Sequence, residues 1–469
     1  MNRIFSFLVM LALLPATAVA QKQWTLDQCI DYAIKRNLDL EEQELNIRKG
    51  KVTLKMAKSE WMPAVEAQVL EQVNFGNMNA SAGFMSTSSS SNDMTFTTAR
   101  IGAVMPLLDG YRIKNKVVAN EFSLEAATQN LEAARRDIAI QVATQYLQVL
   151  YYKGLADIAR RQVEISQDQA RRAAILVGEG KRPASEKAQT EAQVAADQYS
   201  LTQYESNARL ACVYLAQLLS IENPEGFDIA DIYVEGITPD TSQLTTAEAI
   251  INDNVEMHPS VLAAKAEINS AEHLLKVATR ELYPKLNLNV SLQSYFYHLF
   301  KEPVDEFAEY KKPEYAGTEF YDLLVKKTTF VEPSFTSQFF SKNRSELIGL
   351  QLTIPIFSRY QTRGNIRKAN IDVMTRQNHL EKTRLKLRKE IQQAYYNAFT
   401  AVSMYESASK AAAAAEISMK YDKERYDAGR STTYEMNTSA QNCLKAQRDV
   451  LQSKYEYIIR KRILEFYIK

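Results

Sequence analysis

Residues 105–112 read MPLLDGYR, and residues 354–361 repeat the pattern as IPIFSRYQ. The prolines of the two stretches are 249 residues apart, since 355 − 106 = 249. Downstream, a glycine and a glutamate recur with the same offset of 249 residues: Gly180 and Glu186, then Gly429 and Glu435. A fixed offset across unlike landmarks predicts a duplicated unit, with a long element of equal length in both copies.

The first twenty residues have the pattern of a secretory signal peptide. Arg3 gives a short basic start, residues 4–14 are apolar, and Ala18-Val19-Ala20 precedes Gln21 as a cleavage site. The apolar run is shorter than the ~20 residues that span a bilayer. Cleavage removes one of 57 basic residues and none of 56 acidic ones, so the mature charge is 56 − 56 = 0. Nucleic acid is therefore not an expected partner.

The residues that usually carry catalysis or metal binding are sparse and scattered. The histidines have no metal-binding spacing, and the three cysteines form neither a disulfide framework nor a metal motif: Cys29, Cys212 and Cys443. Glycine is 14 of 469 residues, about 3% against a usual ~7%, which indicates long helices and few tight loops. We expect no enzyme, no cofactor and no metal site.

Four short segments alternate between apolar and polar residues, as amphipathic strands do. They lie near residues 65–69, 101–105, 286–292 and 350–356. Pro63 and Pro284 end the helix before the first strand of each pair. The first pair is joined by a serine-rich stretch, 77–92, and the second by a longer connection, roughly 298–344, rich in Tyr, Phe and Lys.

Very long helices follow each strand pair. No proline occurs from residue 358 to about 428, and every seventh residue is apolar: Ile366, Val373, Leu380, Leu387, Ala394, Ala401, Ala408 and Ala415. Such a repeat predicts left-handed supercoiling against neighbouring helices, over a rod of ~100 Å. Gly180 and Gly429 end the long helices, Thr432 and Glu435 form a capping box, and return helices follow at about 184–220 and 433–468.

The duplication predicts the domain organisation. A signal peptide occupies 1–20, the first structural repeat 21–220, an inter-repeat linker 221–245, and the second repeat 246–469. Each repeat contains a helix, a strand pair and a long helical hairpin. The predicted class is an α+β membrane protein, made mainly of coiled-coil helical hairpins with four amphipathic strands per chain.

Four strands do not close a membrane barrel, because an open edge cannot lie in lipid and such barrels need at least ~8 strands. Three copies of this chain supply twelve. The alternation alone also fits a soluble β-sandwich; the secretion signal and the long helices favour the barrel.

Taken in order, these features resemble the TolC-type family of outer-membrane efflux proteins. The resemblance covers nearly the whole mature chain, in duplicate. It rests on the opening helix, the prolines before the strands, the strand-to-helix joints and the turn glycines: Leu26 and Ala33, Pro63 and Pro284, Pro106 and Gly110, Pro355, Gly180 and Gly429.

The resemblance implies a homotrimer with a twelve-stranded barrel in the outer membrane, in contact with its lipid, and a helical tunnel in the periplasm. It also implies docking onto a periplasmic adaptor and an inner-membrane pump of the RND, ABC or MFS type. By position, the turns at Gly180 and Gly429 contact the adaptor, and nearby residues constrict the tunnel as gate candidates: Tyr426, Arg430, Glu435, Lys181, Arg182 and Glu186. Some members carry a further acid where Thr438 stands, so an acidic ring is not expected here. Unlike many relatives, the chain has no cysteine directly after the predicted cleavage site to carry a lipid, because residue 21 is Gln.

Two functions fit these features. The first is the passive, gated outer-membrane conduit of a tripartite efflux or type I secretion system. The alternative is a structural or adhesive trimeric coiled coil of the cell surface. For the conduit, drugs, metal ions, lipids and unfolded proteins all remain candidate cargo.

Overall fold

The computed structural model describes residues 23–75, 94–224, 226–231, 247–299 and 334–468. The predicted signal peptide, the serine-rich connection 77–92, most of the linker 221–245 and most of the connection 298–344 lie outside these residues. The boundaries predicted for the two repeats stay a prediction.

The described part of the chain is mainly helical, with four strands. In chain order its main elements are α1 (Leu26–Arg36), α2 (Leu38–Ser59), β1 (Ala64–Asn74), β2 (Met94–Leu108), α3 (Arg112–Gly178), α4 (Ala184–Leu218), α5 (Ala247–Asn254), α6 (Pro259–Arg280), β3 (Lys285–Leu299), β4 (Ser345–Thr353), α7 (Gln361–Asp427) and α8 (Thr433–Ile468). A short helical segment, 335–342, precedes β4. No helix in these ranges is both long enough and apolar enough to cross a membrane.

The two long helices, α3 and α7, have the same length of 67 residues, and both ends are offset by 249. The equal spacing in the sequence therefore corresponds to equal helices. Each begins after a joint with left-handed backbone, where Tyr111 has φ +65° and Tyr360 has φ +70°. At the first joint the buried Asp109 accepts a hydrogen bond from the Ile113 N–H at 2.7 Å and so caps α3.

The seven-residue stripe of α7 is buried over most of its length. Val373, Leu380, Leu387, Ala394 and Ala401 are each at most 9% exposed. The remaining members of the stripe are half-buried: Ile366, Ala408 and Ala415. The predicted packing face is thus present over the middle of the helix.

The strands form one antiparallel sheet in the order β1-β2-β3-β4. In the register, Ala67 lies opposite Ile101, Ile101 opposite Leu292, and Leu288 opposite Leu350. The pairing of β2 with β3 joins the two repeats. The last strand ends at Thr353, before the predicted end at 356, because Thr353 pairs with Lys285, the first residue of β3, and β3 extends no further in that direction.

One face of this sheet is apolar and exposed. Because side chains alternate, the register places these residues on it: Val65, Val69, Ile101, Val290, Leu292, Ile348, Leu350 and Leu352, each at least 39% exposed. The opposite face carries mostly polar side chains, among them Gln68, Arg100, Asn289, Gln293 and Gln351. An exposed apolar patch of this extent marks a surface that contacts lipid or protein.

The chain divides into two compact units. One holds the sheet, at 53–120 and 272–371; the other holds the remaining helices. The core of the helical unit surrounds Tyr146 of α3, which is 1% exposed and whose hydroxyl lies 2.9 Å from the Trp24 carbonyl and 2.6 Å from the Ala230 carbonyl. These contacts hold the segment before α1 against the chain that follows α4.

Candidate functional site at the helical turns

Both long helices end in the same kind of turn. Gly180 has φ +71° and Gly429 has φ +70°, a left-handed conformation in which a side chain costs energy. The residue after each glycine donates its N–H back into the helix at 2.8 Å, from Lys181 to Leu176 and from Arg430 to Arg425. A Cβ at either glycine would meet nothing within 4 Å, so backbone conformation alone explains the glycine.

A buried carboxylate lies just beyond the first turn. Glu186, in the first turn of α4, is 6% exposed. Its Oε1 accepts a hydrogen bond from the Thr433 hydroxyl at 2.5 Å and another from the Tyr426 hydroxyl at 3.1 Å. Both donors belong to the second repeat, so one carboxylate joins the ends of the two helical hairpins.

A cation completes this arrangement. Arg182 Nη1 lies 3.6 Å from Glu186 Oε2, and the Arg182 guanidinium lies 5.7 Å from the centre of the Tyr426 ring. A buried carboxylate is costly unless it is paired and hydrogen-bonded, and here both conditions are met. We refer to Arg182, Glu186, Tyr426 and Thr433 as the Glu186 cluster.

The other gate candidates lie outside this cluster. Lys181 pairs with Glu179 of its own turn at 2.7 Å. Arg430 is exposed and makes no side-chain hydrogen bond or ion pair with the described part of the chain. The structure therefore brings together three of the six predicted residues, Arg182, Glu186 and Tyr426.

Glu435 caps its own helix. Its Oε2 accepts from the Ser431 hydroxyl at 2.6 Å and from the Thr432 N–H at 3.2 Å, and the Glu435 N–H donates to the Thr432 hydroxyl at 3.2 Å. The bonds from Ser431 and Thr432 lower the pKa of the Glu435 carboxyl. This confirms the predicted capping box and shows a local partner for Glu435.

Sequence reasoning missed Thr433. It is 9% exposed and supplies the shortest contact to Glu186. A threonine in the first turn of a helix usually indicates a cap, and nothing in its position along the chain points to a glutamate 247 residues away.

The strand-to-helix joints differ between the repeats. Gly110, at φ +64°, lies so close to the residues that follow α6 that an added Cβ would be 2.7 Å from the Tyr283 Cβ. Pro106 lies within β2 beside a register shift, whereas Pro355 follows the end of β4. The first joint is therefore the more tightly packed one.

The sequence and the fold both match known proteins. The family model for "Outer membrane efflux protein" matches residues 29–220 and 250–468, which is most of the chain in two parts. Outer membrane efflux protein BepC of Brucella suis is 21% identical over 446 residues, covering 94% of this chain and 85% of BepC. Toxin and drug export protein A of Aggregatibacter actinomycetemcomitans is 18% identical over 440 residues, covering 93% and 84%.

Among solved structures, the Campylobacter jejuni CmeC outer membrane channel matches with a TM-score of 0.76 at 15% identity, covering 94% of this chain and 85% of CmeC. VceC of Vibrio cholerae matches with a TM-score of 0.74 at 13% identity, covering 94% and 95%. At these identities the structural matches establish the fold.

The chain belongs to the outer membrane efflux protein family. Its fold is the predicted α+β fold, in which three chains complete a twelve-stranded barrel and a periplasmic helical tunnel. It is an outer-membrane channel of an efflux system and not an enzyme. The family assignment thus confirms the conduit over the adhesive coiled coil.

Proposed function

We propose that this channel is gated at its helical turns, and that the Glu186 cluster holds the closed state. One observation carries the proposal: a buried carboxylate of the first repeat binds two hydroxyl groups of the second. In the trimeric tunnel the two hairpins of each chain are neighbours. A gate that opens by separating them must break these contacts.

The contacts are strong enough to hold a gate and weak enough to release it. A hydrogen bond to a charged group contributes about 1.5–3 kcal/mol. Separation also leaves the Glu186 charge and the Thr433 hydroxyl to find new partners, which water provides once the turn opens. A partner protein that binds the open turns more tightly by a few kcal/mol suffices to shift such an equilibrium.

Channels of this family form trimers and act with a periplasmic adaptor and an inner-membrane pump. We infer that the adaptor contacts the turns at Gly180 and Gly429, whose surroundings are exposed and carry Lys181 and Arg430. The pump is of the RND, ABC or MFS type, in a tripartite efflux or type I secretion system. The apolar face of the sheet contacts outer-membrane lipid. Residues 1–20 are removed on export.

The exposed candidates have a separate role in this proposal. Lys181, Arg430 and Glu435 are positioned at the turns, and within the described ranges their side chains make no hydrogen bond or ion pair with the other repeat. In the trimer they contribute contacts between subunits, which add to the Glu186 cluster within each subunit.

Single-channel recording in planar bilayers tests the gate. Glu186→Ala is expected to raise the resting conductance, because both hydroxyl donors lose their acceptor. The matched control is Glu191→Ala, which removes an exposed carboxylate of the same helix; among the described residues it pairs with Lys187 alone, at 3.8 Å. Its conductance is expected to stay at the wild-type level.

A double variant, Arg430→Ala with Glu435→Ala, separates contacts between subunits from those within a chain. If this variant opens the channel while Glu186→Ala leaves it closed, the closed state is held between subunits and the Glu186 cluster is only structural. If none of the variants changes the resting conductance, the gate does not lie at these turns.

A further inference from the structure

The 335–342 segment completes the sheet where β4 is too short. Among the described residues, the pairing of β3 with β4 ends at Gln293 and Ser345, whereas β3 stays paired with β2 as far as Leu299. The 335–342 segment lies beside the edge of β3 beyond Gln293, where it meets the backbone of Tyr297. Backbone N–H and C=O groups at a strand edge need hydrogen-bond partners, above all next to lipid.

The segment and Asn343, which follows it, bond to β3 where β4 does not reach. Gln338, 1% exposed, accepts a hydrogen bond from the Tyr297 N–H at 3.2 Å and donates its amide to the Tyr297 carbonyl at 3.1 Å. Asn343 donates to the Tyr295 carbonyl at 2.9 Å, and the Ser294 hydroxyl donates to the Phe339 carbonyl. The segment is therefore fixed to the sheet rather than resting on it.

This attachment directs aromatic rings to the apolar face of the sheet. Phe296 shares that face with Leu292, because the two are four residues apart on one strand. The Phe335 ring lies 5.2 Å from Phe296 and 5.2 Å from Phe339, and Phe340 lies 5.2 Å from Phe339. Phe340 remains 65% exposed.

The two tyrosines that flank Phe296 lie on the opposite face of the sheet. Tyr295 lies on the polar face and stacks on Phe96 at 5.5 Å. In the sequence, Tyr295, Phe296 and Tyr297 together resemble an aromatic girdle. In the structure only Phe296 is on the apolar face, and the phenylalanines of the 335–342 segment join it there.

The level of this cluster along the sheet matches a membrane boundary. Phe296 is ten residues beyond Leu286, the first apolar residue on that face of β3. At about 3.3 Å per residue and a tilt of about 40°, this separation is roughly 25 Å along the membrane normal. That is the height of the apolar band of outer-membrane barrels, which aromatic girdles border on both sides.

We propose that the 335–342 segment is a lipid anchor, and that Phe335, Phe339 and Phe340 lie against lipid at the boundary between headgroups and acyl chains. The occupant is lipid because the cluster continues the apolar face that the outer-membrane location assigns to the bilayer. Lys342 is the last residue of the segment, two positions after Phe340, and a basic residue near aromatic ones in the chain suits the phosphate-bearing layer.

Tryptophan fluorescence in brominated lipid tests the anchor, with the full-length trimer inserted in vesicles. Phe340→Trp places the reporter in the cluster, and Tyr295→Trp is the matched control at the same level on the polar face. The emission of Trp24 and Trp61 is subtracted with the wild-type protein. Lipid brominated near the headgroup is expected to quench Phe340→Trp more than lipid brominated near the chain ends, and to leave Tyr295→Trp unchanged.

Three results overturn the anchor. Quenching of Phe340→Trp by aqueous iodide, with none by brominated lipid, places the cluster in water. Emission that neither agent quenches places it under protein, from this chain or a neighbouring subunit. Equal quenching of both variants by brominated lipid shows that the face of the sheet does not decide lipid contact.

Discussion

Replacing Gly110 with alanine is expected to destabilise the chain more than the same change at Gly180. Both glycines have left-handed backbone, at φ +64° and φ +71°. They differ in their surroundings, because a Cβ at Gly110 would lie 2.7 Å from the Tyr283 Cβ and 3.2 Å from its Cγ, whereas a Cβ at Gly180 meets nothing within 4 Å. The pair separates the cost of backbone conformation from the cost of steric overlap.

The size of each effect follows from these contacts. A left-handed alanine costs about 1–2 kcal/mol, of which the less flexible unfolded chain returns about 0.4–1 kcal/mol. Gly180→Ala should therefore lose about 1 kcal/mol. Gly110→Ala adds an overlap with the rigid Cβ of Tyr283, and overpacking costs about 1–3 kcal/mol. Its expected total is about 2–4 kcal/mol.

Urea unfolding of the vesicle-inserted protein, followed by circular dichroism, measures both variants. The expected result is a lower midpoint for Gly110→Ala at an unchanged slope. Gly429→Ala, at φ +70° with nothing within 4 Å, is a second control that should match Gly180→Ala. Equal losses at all three positions would refute the close approach of Gly110 to Tyr283.

Two further predictions concern packing and pH. Ala401→Leu should lower the free energy of unfolding by about 1–3 kcal/mol, since Ala401 is 3% exposed and packs with Val402 and Tyr457. Ala408→Leu should lower it less, because Ala408 is half-buried. Equal unfolding midpoints for the two variants would contradict this prediction. Burial, with Arg136 nearby, lowers the pKa of His258 from 6.5 to about 4. As the pH falls, the histidine of the unfolded state therefore takes up a proton before that of the folded state. The free energy of unfolding should decrease between about pH 6.5 and about pH 4, by up to about 3 kcal/mol. Unfolding midpoints of wild type and His258→Asn across this range should converge toward acid pH, and parallel curves would count against the buried neutral histidine.

The repeat itself was readable from the sequence because it depends on local chemistry. Glycine past a helix end, proline before a strand and apolar residues at fixed periods act over a few residues. They predicted two equal long helices, and both have 67 residues. They also predicted four amphipathic strands and the burial of Val373, Leu380 and Leu387 along the seven-residue stripe.

The 335–342 segment shows where such reasoning ends. Gln338 is polar and lies in a connection between strands, so local rules place it in water. It is 1% exposed because β3 extends beyond β4, and Gln338 supplies hydrogen-bond partners that the backbone of Tyr297 requires there. That requirement arises from the relative lengths of two strands, which residue periodicity does not determine to within a few residues.

Two of the gate candidates, Glu186 and Glu435, show the same limit of local sequence rules. They occupy equivalent positions in the two repeats, and the sequence alone gives them equivalent roles. In the second repeat Ser431 and Thr432 donate hydrogen bonds to Glu435, which therefore stays with its own turn. The corresponding residues of the first repeat are Arg182 and Pro183. Pro183 has neither a hydroxyl group nor an N–H, so it offers Glu186 no cap.

Glu186 is thus left without a cap partner, while Arg182 stays beside it at 3.6 Å. Its carboxylate instead meets the hydroxyl groups of Tyr426 and Thr433. The two repeats thus differ at two positions beside the turn, Arg182 for Ser431 and Pro183 for Thr432, and the glutamate forms a helix cap in one repeat and a contact between repeats in the other. The prediction that follows is reciprocal: Arg182→Ser with Pro183→Thr should let Glu186 cap α4, weaken its bonds to the second repeat, and raise the resting conductance as Glu186→Ala does. Wild-type conductance in this variant, with Glu186→Ala open, would show that cap chemistry does not decide where Glu186 binds.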